Sequence, residues 1–452
     1  MKTILAFILM LQFASAVSAA ERPNVVFILA DDLGWGDLGC HGNTRLKTPN
    51  LDRLAREGTD FHQFNTTSPV CSASRVGFTT GRFPARFGVR GAIGAVAKNI
   101  EQNQVDWLDP QAATLPRLLK SAGYVTGHVG KWHLQSGQAS EAPLPSAYGF
   151  DEHALLAGTS HPNAEKVIEY SEIWDAASEF LRRHREQPFY LNVWMHETHL
   201  AHHPSEESLQ AFTHLDERRR IYAAVAADAD RGVGKLLAVL KELGLEDNTL
   251  VVFSSDNGPE NVSRLKEMRG GFGGYYNGGE TGGLKGRKRS LHEGGVRTPF
   301  FVRWPGHVPA GRVDNTTSLS ATDLLPTVCA AVGVKLSPDF QLDGENMLAA
   351  IQGQPQSRTK SIFWEWTGSS TPAECWPRWA IRSGDWKLLT DDGSRAELYR
   401  ISDDRAEATD MAAKHPDVAK QLAADLAAWK ASLPKALPAD CLSNKRRGKQ
   451  KD

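Results

Sequence analysis

The chain has 452 residues, of which 41% are hydrophobic and 23% charged, the balance of a globular protein long enough for two or three domains. Lys+Arg 52 against Asp+Glu 53 leaves a formal net charge of −1. That excludes a globally basic nucleic-acid binder or polybasic membrane-surface protein, so any anion recognition must be local.

Residues 1–20 read as a secretory signal peptide. Lys2 supplies the positive start, Ile4 to Val17 the apolar stretch and Ser18-Ala19-Ala20 a small-residue cleavage site, with a retained membrane anchor as the alternative. No later segment is long enough to span a bilayer, so stable membrane insertion is not expected. A secreted or periplasmic chain with five cysteines has an odd one. Cys40, Cys329, Cys375 and Cys441 could supply one or two disulfides at spacings that specify no framework, which leaves Cys71 to be explained.

Asn24-Val25-Val26-Phe27-Ile28-Leu29-Ala30 is a continuous apolar run, as expected of a strand buried on both faces, and it stops at Asp31-Asp32. Far downstream Thr249 to Ser255 repeats the pattern and stops at Asp256-Asn257-Gly258. In parallel sheets ligands sit beyond the carboxyl ends of strands, so the two ends together offer an all-oxygen set suited to Ca²⁺ or Mg²⁺. The competing reading is that each Asp caps a helix or turn. Between them, Cys71-Ser72-Ala73-Ser74-Arg75 opens a helix that stops at Gly81, with Cys71 and Arg75 on one face. A cysteine at a helix N-terminus beside an arginine is either a reactive group in an anion site or a buried structural residue.

Thr114 to Gly123 has an N-cap threonine, an early proline and a terminal glycine, and predicts a helix. Tyr124 to Gly130 reads as a strand that delivers Lys131-Trp132-His133. Glu172 to Gln187 is helical in pattern, and the strand Phe189 to Met195 ends in His196-Glu197-Thr198-His199. Arg218 to Leu243 reads as a long helix with Gly244 just past its end. This alternation predicts an α/β fold with a large, mainly parallel sheet and helices on both faces. The glycine-rich stretch from Gly270 to Gly295 predicts a loop, and its Lys285, Arg287, Lys288 and Arg289 are either a solvated run or anion contacts. After about residue 350, Trp364, Trp366, Trp376, Trp379 and Trp386 lie in short β-like stretches, for core packing or for stacking on sugar. Ala380 to Leu389 reads as a hairpin and Pro416 to Leu433 as a helix. The Asn444–Asp452 tail, rich in Lys and Arg, is expected to be disordered. Asn65, Asn261 and Asn315 head glycosylation patterns that also arise by chance.

Cys71 to Arg75 with Thr80-Gly81-Arg82 resembles the signature of the type I sulfatases of the alkaline-phosphatase superfamily. Asn24 to Asp37, Thr48-Pro49-Asn50-Leu51-Asp52, Gly130 to His133, Ser255 to Gly258 and Glu293 to Pro299 support the resemblance in the same order, over about residues 22–430. It implies an alkaline-phosphatase-like fold with a catalytic domain over 21–349, while the change of texture after residue 350 gives a smaller C-terminal α+β domain with an antiparallel sheet over 350–435 and a basic tail, expected to be disordered, over 436–452. It also implies that a formylglycine-generating maturation system converts Cys71 to 3-oxoalanine, whose hydrate is the nucleophile. Position 73 is Ala where many members carry Pro, which leaves the identity of that system open. Asp31, Asp32, Asp256 and Asn257 with the modified Cys71 would hold one Ca²⁺. Arg75 and Lys131 would stabilise the hydrate and the sulfate, His133 would take the hydrate's proton, and Lys288 would bind sulfate. His199 fits the leaving-group histidine, with His196, His202 and His203 crowding the same segment, and Ser160 fits a sulfate contact. The layout is most similar to the arylsulfatase and N-acetylgalactosamine-6-sulfatase branch, with sulfated carbohydrates or aryl sulfates as substrates. The alternatives are a phosphonate monoester or phosphodiester hydrolase of the same superfamily, and a sulfated-glycan-binding protein in which Cys71 is unconverted.

Overall fold

The computed structural model of the chain describes residues 22–157, 163–367, 376–391 and 394–449. Nine strands form one sheet: β1 (Asn24–Ala30), β2 (Thr59–Phe61), β3 (Val125–Gly130), β4 (Glu152–Leu156), β5 (Val167–Ile168), β6 (Phe189–Trp194), β7 (Thr249–Ser255), β8 (Phe300–Arg303) and β9 (Arg312–Asp314). Their order across the sheet is β9-β2-β8-β7-β1-β6-β3-β4-β5. Every neighbouring pair is parallel except the two made by β8, which runs antiparallel to β7 and β2.

The apolar runs bury both faces, as their lack of alternation predicts. Val26, Ile28, Val193 and Phe253 face one core, with Ile173, Phe180 and Leu181 of the helix Ile173–His184 and Val233, Leu236 and Leu240 of the helix Glu217–Glu242. Val25, Phe27, Leu29 and Val252 face the other, with Val76 and Phe78 of the helix Cys71–Thr80 and Leu325 and Val328 of the helix Leu324–Ala331. Each such side chain contributes about 1.5–3 kcal/mol on leaving water. The helix Cys71–Thr80 is buried along its whole length and is closed by Gly81 at φ 67°, a conformation glycine adopts without strain.

A second, antiparallel sheet runs β10 (Ile362–Glu365), β11 (Trp379–Ser383), β12 (Trp386–Thr390) and β13 (Ala396–Arg400), in that order. Trp364, Trp366 and Trp379 are buried, so for them packing prevails over sugar stacking, and Trp429 of the helix Pro416–Ala431 stacks on Phe363. This sheet shares its apolar cluster with the larger one and docks through buried charge. Lys387 on β12 meets Glu293 at 2.7 Å and Glu407 at 3.0 Å, and Arg297 meets Glu293 at 2.6 Å. Arg382 donates to Asn65 at 2.9 Å. Asn65 is fully buried, which removes it as a glycosylation acceptor.

Two expectations are corrected. Residues 436–446 are not a disordered tail: Ser443 N and Arg446 Nε donate to Asp106 at 2.8 and 2.6 Å, and Ser443 Oγ donates to Glu141 at 2.8 Å. A buried carboxylate needs such partners, and the basic segment supplies them. Cys40, Cys329 and Cys441 are free thiols and form no disulfide with one another. Cys375 lies outside the described residues, as does the segment read as a signal peptide. Among the described residues no helix is long and apolar enough to cross a membrane.

Lys387 and Glu293 are 0% exposed. Burial alone would raise the Glu293 pKa, but Lys387, Arg297 and Arg382 hold it well below the ordinary value of 4.5. Its stabilising share is therefore complete above that ordinary value and is lost as pH falls towards the depressed one. We expect Lys387→Met, which takes the lysine shared by Glu293 and Glu407 from both buried carboxylates and leaves Glu293 to Arg297, to cost about 3–5 kcal/mol at pH 7 and less at pH ~4, read from urea midpoints at both pH values.

Candidate active site

Parallel register sets the site. Ala30 lies beside Ser255, Leu29 beside Trp194 and Gly130 beside Trp194, so β1, β7, β6 and β3 end at one edge. The residues that follow, Asp31-Asp32, Asp256-Asn257, His196 to His199 and Lys131 to His133, are thereby gathered. Gly130, at φ 106°, lies where a Cβ would meet Trp194 O at 2.1 Å, so only glycine lets the chain turn tightly there. Asp32 and His133 hold φ of 63° and 56°, a left-handed conformation that costs a non-glycine residue roughly 1–3 kcal/mol.

Cys71 is the first residue of its buried helix, and its thiol donates to Asp31 Oδ1 at 3.4 Å. One turn on, Arg75 donates through Nε and Nη2 to Asp256 Oδ2 at 3.0 and 2.7 Å and through Nη1 to Lys131 O at 3.1 Å. Its guanidinium lies 4.9 Å over the Trp194 ring. Lys131 Nζ and His196 Nδ1 each approach Asp31 Oδ2 at 2.5 Å. Lys288 Nζ meets Asp32 Oδ2 at 2.6 Å and Glu260 at 3.3 Å. Asn257 Nδ2 donates to Asp32 Oδ1 at 2.7 Å, and His199 Nε2 lies 3.8 Å from Asp32 Oδ2.

Burial raises the pKa of every carboxyl here, and the cations decide the outcome. Asp31 is held well below its ordinary value by Lys131 in particular. Asp32 is pushed up to about 7 by burial, against the pull of Lys288, with Asp31 and Glu260 adding repulsion. Burial, then Asp31, raises the Cys71 thiol, so the cysteine as such is not a ready thiolate. Burial, then Lys131, depresses His133 and His199. The donor set fits a hard divalent cation. Asp31, Asp32 and Asp256 offer oxygens whose crowding a cation relieves, and Asn257 Oδ1 is buried with no partner among the described residues. Asp31, Asp32, Cys71 and His199 bring one ligand atom each within 4.8 Å of one another.

The expected residues converge except for one, Ser160, which lies outside the described residues. Lys285 turns away, to Tyr399 Oη at 3.0 Å, so of the four basic residues in the glycine-rich loop Lys288 is the one that reaches Asp32. His133 Nε2 bonds to Ile93 O at 3.1 Å and its Nδ1 is buried without a partner among the described residues. His199 bonds through Nδ1 to Leu200 O at 2.5 Å, and its side chain is 18% exposed. His196 is tied to Asp31 and stacked on Tyr170. His202 is fully buried, with both ring nitrogens unpartnered among the described residues. Sequence reasoning missed Glu260, which pairs with Lys288 and Arg289, and Thr198, whose Oγ1 donates to Asp31 O at 2.6 Å. Neither carries a signal beyond its place just after a strand-end motif. Arg287, beside Lys288, lines a cavity of about 380 Å³ with Arg45, Arg218, Arg219, Asn277 and Glu280.

A family model described as Sulfatase matches residues 23–334, and one described as N-sulphoglucosamine sulphohydrolase, C-terminal, matches residues 279–432. The N-acetylgalactosamine-6-sulfatase of Homo sapiens is 33% identical over 405 residues, covering 78% of this chain and 74% of its own. Arylsulfatase A of Homo sapiens is 31% identical over 420 residues, covering 84% and 77%. The crystal structure of Ps i-CgsB in complex with k-i-k-neocarrahexaose matches with a TM-score of 0.79 at 26% identity, over 94% of this chain and 96% of that one.

If the oxygen set holds a cation, chelation lowers the thermal midpoint and added Ca²⁺ restores it, since a ligand at 100 times its Kd stabilises by about 2.7 kcal/mol. The Ca²⁺-dependent increment should vanish in Asp32→Ala and shrink in Asn257→Leu, measured by calorimetry with and without Ca²⁺.

Proposed function

The chain belongs to the sulfatase family of sulfuric ester hydrolases, and on that premise we propose that it is an exported, Ca²⁺-dependent sulfatase of sulfated carbohydrates that works through a formylglycine made from Cys71. The observation that carries this reading is the convergence of Asp31, Asp32, Asp256, Asn257, Arg75, Lys131 and Lys288 on Cys71 at the N-terminus of a buried helix. Asp31, Asp32, Asp256 and Asn257 would hold the cation. When present, Ca²⁺ supplies positive charge beside a sulfate oxygen, and the hydrated aldehyde supplies a nucleophilic hydroxyl.

This chain's own residues do the rest. Lys131 and Lys288 face the place where charge develops, in a site dry enough to make that charge count. Because Ile93 O can only accept, His133 carries its proton on Nε2 and offers Nδ1 as the base for the hydrate's proton. Leu200 O fixes a proton on His199 Nδ1 in the same way, so Nε2 is the atom that protonates the departing oxygen. An anionic ester beside His199 favours its charged form, offsetting the push from Lys131. His196 suits this role less, because its side chain is 2% exposed against 18% for His199. The arginine-lined cavity to which Arg287, the residue before Lys288, contributes supports a sulfated carbohydrate over a small aryl sulfate as the natural substrate. The relatives named for N-acetylgalactosamine 6-sulfate and the neocarrahexaose complex support the same class. Within it, a 6-sulfated sugar is the narrower reading.

In protein from the native host, the Cys71 peptide should be about 18 Da lighter than the unmodified peptide by mass spectrometry. Cys71→Ala should lose about 10³-fold or more in sulfate release. His199→Ala should lose about 10²–10⁴-fold on a sugar sulfate and far less on a 4-nitrophenyl ester, whose leaving group needs no proton. A higher kcat/KM for a phosphodiester, an unmodified Cys71, or turnover confined to 2- or 4-sulfated sugars would overturn, in turn, the reaction, the nucleophile and the 6-sulfate reading.

A further inference from the structure

Among the described residues a second cluster stands apart from the active site. Cys40 and His41 lie on the short turn Gly39–His41, and Asp60 and His62 lie on or beside edge-side strand β2. Cys40, His41 and Asp60 each bring a ligand atom within 4.8 Å of the others. His41 Nε2 and His62 Nε2 approach the same oxygen, Asp60 Oδ2, at 2.9 and 3.1 Å. Donors bound at about 2.0–2.1 Å to one small cation sit roughly 3 Å apart, so this is the spacing of neighbouring ligands around a metal.

Two features point to a missing partner. The Asp60 side chain is 5% exposed, yet its Oδ1 has no partner among the described residues. His41 Nδ1 lies 2.7 Å from Trp35 O, and a carbonyl oxygen only accepts, so Nδ1 carries the hydrogen. With Nδ1 so occupied, Nε2 is the atom left to face the carboxylate, and a cation shared between the two would bond to both. A histidine that donates its other N–H to a backbone carbonyl is the arrangement that orients imidazole for a metal. The ring is also clamped by Trp35, stacked at 4.0 Å. Cys40 is a free cysteine at an exposed position of the turn, which supplies a soft donor close to solvent.

We propose that Cys40, His41 and Asp60 bind a borderline divalent cation such as Zn²⁺, with His62 holding Asp60 from the side. Mixed S, N and O donors select this class over Ca²⁺, so the site would not compete for the cation of the oxygen-lined centre. Binding releases the Cys40 thiol proton and leaves no net redox change. The metal would pin the turn that follows Asp31-Asp32 to strand β2.

The test uses the full chain loaded with Ca²⁺ and titrated with Co²⁺, then Zn²⁺. One equivalent of Co²⁺ should give a sulfur-to-cobalt charge-transfer band that stoichiometric Zn²⁺ abolishes. Cys40→Ser should lose the band while hydrolysing an aryl sulfate within about twofold of wild type. Asp60→Asn should weaken Zn²⁺ binding about tenfold or more by calorimetry. In unmutated protein, Zn²⁺ should also slow alkylation of Cys40, read by peptide mass spectrometry, which needs no variant to fold. No band in the wild type, a band that persists in Cys40→Ser, or alkylation of Cys40 unchanged by Zn²⁺ would each overturn the site and leave His41 as a hydrogen-bond partner of Asp60.

Discussion

Three buried carboxylates and three buried cations meet at one edge of a parallel sheet, and neither set tolerates the loss of the other. Asp31 alone is approached by Lys131, His196 and Arg75. Taking a single ion out of water costs several kcal/mol even after relaxation, so the arrangement persists only because its partners arrive together. They arrive from four strand ends, one helix and one loop, which makes the register of β1, β3, β6 and β7 a condition of the chemistry. A one-residue slip would turn each strand's side chains to the opposite face.

The same constraint explains the burial of the helix Cys71–Thr80. Arg75 must reach Asp256 and Lys131 O from inside the protein, so the helix is covered on all sides, and the second sheet supplies part of the cover. Trp364 Nε1 donates to Thr66 O at 2.7 Å just before that helix, and Lys387 anchors Glu293 in the segment that follows Lys288. The C-terminal layer is thus a support for the site rather than an appended module. The depressed Glu293 carboxyl records the charge used to dock it.

Much of this site was legible because its parts are local patterns. Apolar runs that stop at Asp31-Asp32 and at Asp256-Asn257 announce strand ends, and parallel strands bring such ends together. The i, i+4 spacing placed Arg75 beneath Cys71. Other parts had no local signature. Glu260 is one carboxylate in a loop, and its pairing with Lys288 depends on a glycine-rich path whose turns no period encodes. The docking of Arg446 on Asp106 joins residues 340 apart in sequence, and the basic composition of the tail pointed the other way.

The sequence by itself determined the fold class, the gathering of four oxygen-bearing side chains at two strand ends and the place of Cys71, because periodicity, strand-end position and helix capping are written within a dozen residues. Only the tertiary structure decided which of four neighbouring basic residues enters the site, which histidine is tied to Asp31 and which is left half-open, and which ring nitrogen of His133 and His199 carries the hydrogen. It also decided that Cys40 sits free beside two histidines and a buried carboxylate. These outcomes depend on carbonyls and charges brought from distant segments, and the energy that selects among them exists only once the core has closed around them.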